Sequence, residues 1–304
     1  MRACRVHSFG GPEAIVVEDV PVPEPGPGEV LVDVIAAGIG PWDAWIRAGK
    51  SVLPQPLPLT LGSDLAGVVL ALGEGVTGFA VGDEVFGVTN ARFTNACAER
   101  ALASASMIAK KPRTLDFVAA AGVPVIAVTA WQMLDRAAVG PGTNVVVHGA
   151  AGNVGGYAVQ LAKARGARVV ATGRDGQLAM LRAFGADDAI RSDAPIAPGS
   201  VDAVLDLVGT TVHPWSLAAL RRGGVLVSAV SEPDRATAKE RGVDAAFLLV
   251  AVGTKTLTEL ARLFDDRRLE ARVGEVMPLT AIRTAHEMLD GIRAHADGKI
   301  VVRV

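Results

Sequence analysis

Residues 144–174, NVVVHGAAGNVGGYAVQLAKARGARVVATGR, constrain the fold of this chain more than any other stretch. The β-branched run Val145–Val147 reads as a buried strand ending at His148. A glycine-rich turn follows, and then Val154, Ala158, Leu161 and Ala162 recur at helical spacing. A second apolar strand starts at Ala167. Strand, tight turn, helix and strand in this order make a parallel βαβ unit. The turn is spaced Ala150-x-Gly152-x-x-Gly155, with Ala where the dinucleotide fingerprint usually has its first glycine. Gly152 leaves room for the backbone to approach a pyrophosphate, and Gly155 lets the helix pack close to the strand. Ala151, Gly152, Asn153, Val154 and Gly155 surround the helix N-terminus, whose free N–H groups and positive dipole end attract phosphate. Such turns also occur without a ligand; the strand–helix–strand setting favours a dinucleotide site.

The tip of the second strand decides which dinucleotide. NAD sites usually place an acid there, to accept from the ribose 2′-OH. Here the strand ends Thr172-Gly173-Arg174. Gly173 gives room, and the Arg174 guanidinium is a fixed fork suited to a 2′-phosphate. The favoured cofactor is NADPH; the alternative is a solvated Arg174 neutralised by Asp175.

The rest of the chain falls around this unit. Residues up to about 115 carry short apolar runs separated by Gly and Pro clusters, which indicates a compact β domain. From about 116 to 270, apolar strands (NVVVHG, ARVVATG, AVLDLVG, GGVLVSAV, AAFLLVAVG) alternate with helical patterns, as in a doubly wound parallel sheet. One further helix and a final strand, GKIVVRV, close the chain, and that strand is able to return to the first domain. Residues 117–134 contain no charge, but Pro124 interrupts them and buried helical turns explain them better than a membrane span. A net charge of −2 gives no footprint for nucleic acid or an acidic membrane. Cys4 and Cys97 cannot build a disulfide framework or a cysteine-rich structural zinc site. The N-terminus lacks the pattern of a signal peptide, so a cytoplasmic setting is expected.

At this point the chain resembles the zinc-independent quinone oxidoreductase branch of the medium-chain dehydrogenase/reductase superfamily. The marks are AAGIGPWDAWIRAG (36–49), LPLTLGSDLAGVV (57–69), VGDEVFG (81–87), AAAGVPVIAVTAWQML (119–134), HGAAGNVG (148–155) and HADGKIVVRV (295–304). The resemblance implies an α/β chain of two domains. A GroES-like β-rich catalytic domain spans 1–120 and 271–304, and a Rossmann doubly wound parallel-sheet domain spans 121–270, with a cleft for cofactor and substrate between them. It also implies a homodimer through the last strand of the Rossmann domain, which holds Phe247, Leu248 and Leu249.

Zinc-containing relatives carry a Cys and a Gly-His-Glu turn where this chain has Gly40-Pro41 and Gly62-Ser63-Asp64. The histidines at 7, 148, 213, 286 and 295 form no spaced cluster, so no metal site is expected. By the resemblance, Gly40, Pro41, Trp42 and Trp45 wall the substrate, with plain core packing as the alternative for both indoles. Asp43 is either catalytic or fixes the loop through the backbone or Arg47. Thr129 bonds the nicotinamide ribose or amide, and Ser192 the adenine ribose. Leu207, Val208, Gly209, Ser228, Ala229 and Val230 end strands at the carboxyl edge of the sheet, where ligands bind in open α/β folds. Lys299 matches a recurrent position, either at the cofactor or structural. Cys97 reads as a small buried hydrophobe. The family often has Asn in place of Gly40 and an aromatic in place of Cys97, and both departures bear on the substrate.

Hydride addition to a quinone or an α,β-unsaturated carbonyl spreads charge onto an oxygen that a few hydrogen-bond donors can stabilise without a metal. The single tyrosine, Tyr157, is followed by Leu161, so the Tyr-x-x-x-Lys pair of short-chain reductases is absent. The expected activity is NADPH-dependent reduction of small quinones or enones. The alternatives are a nucleotide-binding redox sensor or structural protein with little turnover, and an enoyl-thioester reductase. A tyrosine donor usual in the latter is missing near Trp45.

Overall fold

A computed structural model describes all 304 residues, arranged in two compact units. One comprises Met1–Val125 and Val252–Val304, the other Ile126–Ala251. The division falls near the expected boundary at 120 but well before the one expected at 270. The reason is the helix Thr254–Asp265, whose Leu257, Leu260 and Leu263 are buried. Thr254 Oγ1 donates to the carbonyls of Ala105 (3.1 Å) and Ile108 (2.7 Å), which ties this helix to the β-rich unit.

In that unit the strand Glu29–Ile39 is the organiser. It pairs antiparallel with Asp64–Leu72, with Arg100–Ser104 and with the C-terminal strand Lys299–Arg303. The closing strand therefore returns as its sequence suggested, with Ile300 opposite Ile39. Strands Glu84–Val88 and Ile108–Lys110 extend one side of this sheet, and Val273–Pro278 lies parallel to the C-terminal strand on the other. A small second sheet joins Ile15–Asp19, Arg2–Val6 and Leu59–Thr60. Val30, Val32, Val34, Leu65, Val69 and Val85 are buried in the core, as expected for strands that alternate inward.

The second unit holds six strands in the order Asp188–Arg191, Arg168–Gly173, Asn144–His148, Val201–Asp206, Leu220–Ser228, Asp244–Phe247. All pairs are parallel. The Asp188–Arg191 strand is short and was not legible in the sequence. The last strand ends at Phe247, earlier than expected, so Leu248 and Leu249 lie beyond it; Leu248 N–H still donates to Ser228 O. The uncharged run at 117–134 forms parts of two helices, Phe117–Ala121 and Pro124–Arg136, with Pro124 opening the second. No helix is long and apolar enough to cross a membrane.

Candidate functional site

Strand Asn144–His148 runs into the glycine turn, and helix Asn153–Ala164 starts directly after Gly152. Gly149 sits at φ +71°, a left-handed conformation that glycine adopts without cost. A Cβ on Gly155 would collide with Gly149 O and lie 2.6 Å from Ala150 Cα, so this glycine is required for helix–strand contact. A Cβ on Gly152 would meet only Gly149 O, at 3.3 Å. Gly152 therefore has a single close neighbour on that side, a tight contact with one carbonyl oxygen, and it caps the N-terminus of a helix of three turns. That is the geometry a pyrophosphate fits. His148 Nε2 is buried without a hydrogen-bond partner, while Nδ1 meets Thr172 Oγ1 at 3.2 Å. Burial lowers the His148 pKa and so favours the neutral ring, against the opposing pull of Asp206.

At the tip of the next strand, Arg174 is exposed and forms no ion pair; its backbone N–H donates to Gln177 Oε1. Asp175 does not neutralise it. Asp175 pairs with Arg191 at 2.9 Å, and Arg191 holds Asp193 through two contacts of 2.8 Å. The strand register sets Gly173 opposite Arg191, and Ser192 N–H donates to Gly173 O at 2.9 Å. The space beside Gly173 is taken by Leu181, whose Cδ1 lies 2.9 Å from where a Cβ would stand. Gly173 thus serves the helix behind it.

Thr129 is buried within helix Pro124–Arg136. Leu207, Val208 and Gly209 follow strand Val201–Asp206, and Ala229 and Val230 follow strand Leu220–Ser228, at the same edge as the glycine turn. Val208 and Val230 are about half exposed, at 48% and 47%.

The β-rich unit gathers a second set of residues. Helix Pro41–Arg47 begins after Gly40, whose N–H donates to Asp43 Oδ2 at 2.7 Å. Asp43 Oδ1 is buried near Gly62 without a hydrogen bond, and burial pushes the carboxyl up to about 7. Asp43 thus fixes the loop through the backbone. Arg47 instead donates to Gly10 O, His286 Nδ1 and Asp290 Oδ2. The indole of Trp42 covers Gly40, where a Cβ would come 2.7 Å from Cζ2, and its Nε1 donates to Ser63 Oγ at 3.0 Å. Lys299 Nζ lies 4.1 Å from the centre of that indole and donates to Asp64 Oδ2 at 3.0 Å. Lys299, expected among the cofactor residues, is therefore wholly buried in this unit with its charge committed to Asp64.

Trp45, three residues on, goes elsewhere. It is 54% exposed and lines a cavity of about 530 Å³ with Phe9, Pro41, Arg47 and Leu289. Cys97 is fully buried, and burial raises its thiol well above the usual range, as suits an inert core group. No three His, Cys, Asp or Glu side chains converge in a set that could hold a metal ion. Sequence reasoning missed Ser63 as a partner of Trp42 and missed Asp206; the one visible signal for Asp206 was a charge inside the apolar run AVLDLVG.

A six-stranded parallel sheet with a glycine turn at its carboxyl edge and a separate β-rich unit in one chain define a two-unit α/β protein. The alcohol dehydrogenase GroES-like domain family matches residues 26–157, and the zinc-binding dehydrogenase family matches residues 184–302. The chain is 30% identical to human quinone oxidoreductase over 99% of its own length and 97% of the relative's. It is 30% identical to the chloroplastic NADPH-dependent alkenal/one oxidoreductase of Arabidopsis thaliana, over 99% of this chain and 79% of that one. Among solved structures, the quinone oxidoreductase of Coxiella burnetii superposes with a TM-score of 0.90 at 33% identity, covering 100% of this chain and 99% of the other. An NAD-dependent alcohol dehydrogenase does so with a TM-score of 0.88 at 33% identity, covering 100% of both. The chain belongs to the medium-chain dehydrogenase/reductase superfamily, among its quinone oxidoreductase-like members.

Proposed function

We propose that this protein is an NADPH-dependent reductase of quinones or α,β-unsaturated carbonyl compounds that works without a metal. The observation that carries the reading is the glycine turn at the head of helix Asn153–Ala164, where a Cβ on Gly152 would meet one atom only, together with the unpaired guanidinium of Arg174 at the tip of the adjacent strand. Residues 151–155 would hold the pyrophosphate and Arg174 the 2′-phosphate. Thr129 and the edge residues 207–209 and 228–230 would face the nicotinamide end. The bound cofactor supplies the hydride. Gly40, Pro41 and Trp42 remain the proposed substrate wall, with the Trp42 indole offering flat aromatic surface to a flat quinone or enone. Trp45 lines the cavity beside Phe9 and Arg47 and drops out of that wall.

The metal-free half rests on the donor set. At the position of the zinc relatives' Gly-His-Glu turn, Asp64 is neutralised by a lysine ammonium and Ser63 is engaged by an indole. Neither thiol is activated toward a metal, since burial raises both. The reading includes a homodimer along the edge strand Asp244–Phe247, where Phe247 and Leu249 expose apolar surface. It also includes a cytoplasmic setting, where the unpaired Cys4 and Cys97 stay reduced.

The test is NADPH oxidation with a panel of quinones and enones, alongside elemental analysis of the active protein. Activity with no stoichiometric zinc supports the reading. Binding without oxidation across the whole panel, or equal use of NADH that is insensitive to Arg174→Ala, overturns it.

A further inference from the structure

Strand Val201–Asp206 ends in a carboxylate with no exposed surface. Its backbone stands opposite Ser228 on one side and His148 on the other, so Asp206 occupies the middle of the sheet's carboxyl edge. Four donors converge on it. The N–H groups of Val208 and Gly209 reach Oδ1 at 2.9 and 3.0 Å. His213 Nε2 and Ser228 Oγ reach Oδ2, both at 2.8 Å. An ionised carboxylate is the side chain that can accept so many bonds without donating any. Ser228 passes the restraint on, because its Oγ accepts from the N–H groups of Val230 and Ser231, both at 3.3 Å. Ala229 N–H donates to Asp206 O at 3.2 Å.

One buried residue therefore fixes two separate loops. Each loop carries a valine whose side chain is half exposed at the edge, Val208 and Val230. Exposed aliphatic side chains on backbone held this firmly form a preorganised apolar surface. Two more polar atoms at the edge, His148 Nε2 and Ser231 Oγ, are buried without a partner, as expected where a ligand completes the hydrogen bonding.

We propose that Asp206 is a positioning residue: through its own bonds and through Ser228 it holds loops 207–209 and 229–231 so that Val208 and Val230 form the wall against which the nicotinamide ring rests. The proposal builds on the nucleotide reading above and assigns the ring-binding half of that site.

The experiment compares two nucleotides, NADPH and the same molecule lacking nicotinamide (2′-phospho-ADP-ribose), by titration calorimetry. Thermal unfolding is recorded in parallel on wild type, Ser228→Ala and Asp206→Asn. Loss of hydrogen bonds to a charged group should weaken NADPH binding about tenfold in both variants. Affinity for 2′-phospho-ADP-ribose should stay at the wild-type value, and the emission of bound NADPH should move toward that of the free form. Ser228→Ala removes one hydroxyl and carries the decision if Asp206→Asn does not fold. Equal loss for both nucleotides, or no loss for either, overturns the proposal. If wild type binds neither nucleotide, the nucleotide reading itself fails; if wild type binds both and the variants do not discriminate, only the role of Asp206 falls.

Discussion

Lys299 Nζ and Asp64 Oδ2 stand 3.0 Å apart with essentially no solvent on either side chain, across 235 residues of sequence. The Trp42 indole covers the ammonium from a further side at 4.1 Å. Removing one partner of such a pair leaves an uncompensated buried charge. Lys299→Met should therefore destabilise the protein by about 3–5 kcal/mol in urea unfolding. The double variant Lys299→Met/Asp64→Leu should recover much of that loss, because desolvation of both ions is then avoided. A double variant no more stable than the single one would show that the charges are not the cause.

Stability should depend on pH through two buried groups of opposite sign. Burial raises Asp43 from 3.8 to about 7, while burial and the neighbouring Arg47 lower His286 from 6.5 to about 3. The folded protein keeps a proton on Asp43 that the unfolded chain releases, so this group makes stability fall as pH rises from about 4 to 7. The folded protein keeps His286 neutral where the unfolded chain is charged, so His286 makes stability rise from about pH 3 to 6.5. Burial adds to each side, raising Asp64 and lowering His148. Relative to wild type, the stability of Asp43→Asn should climb more steeply between about pH 4 and 6.5, and that of His286→Gln should climb less or fall. Chemical unfolding across that range checks it, and two curves parallel to wild type would refute the assignment.

The two glycines of the turn should separate folding from binding. Gly155→Ala drives a methyl into the backbone of Gly149 and Ala150, a cost of about 1–3 kcal/mol for overpacking. Gly152→Ala meets one atom only, Gly149 O at 3.3 Å, so it should cost much less stability than Gly155→Ala while nucleotide affinity drops. Calorimetric titration with thermal melts distinguishes them; normal nucleotide binding by Gly152→Ala would count against the pyrophosphate position.

Gly40 and Trp42 should behave as one unit. Any side chain at position 40 strikes the indole, so Gly40→Asn alone should lose about 1–3 kcal/mol of stability. Gly40→Asn/Trp42→Ala should regain part of it and alter the ratio of kcat/KM for quinones against enones. An additive double variant with an unchanged ratio would place Trp42 outside the substrate wall.

The βαβ pattern of the parallel sheet and the glycine turn were legible in the sequence because each depends on residues close together in the chain. The C-terminal strand was legible as a strand, whereas its pairing of Ile300 with Ile39 was decided by the tertiary structure. Valine runs, helical spacing and a glycine between strand and helix state their own local geometry. The strand at 188–191 escaped because four residues carry too little periodicity, and the last strand was drawn too long because an apolar run does not mark where hydrogen bonding stops. Partnerships between distant charges were decided only by the tertiary structure. Nothing local to Asp64 announces Lys299, and nothing in the sequence turns Arg47 toward Asp290 instead of Asp43. Which polar groups are stripped of water, and which donors meet them there, is settled when separate segments pack together. The chain's own order of residues thus determined the two-unit framework and the glycine turn. Packing alone decided that Trp42 fills the place above Gly40, that Asp64 is answered by a lysine, and that Asp206 holds two loops at once.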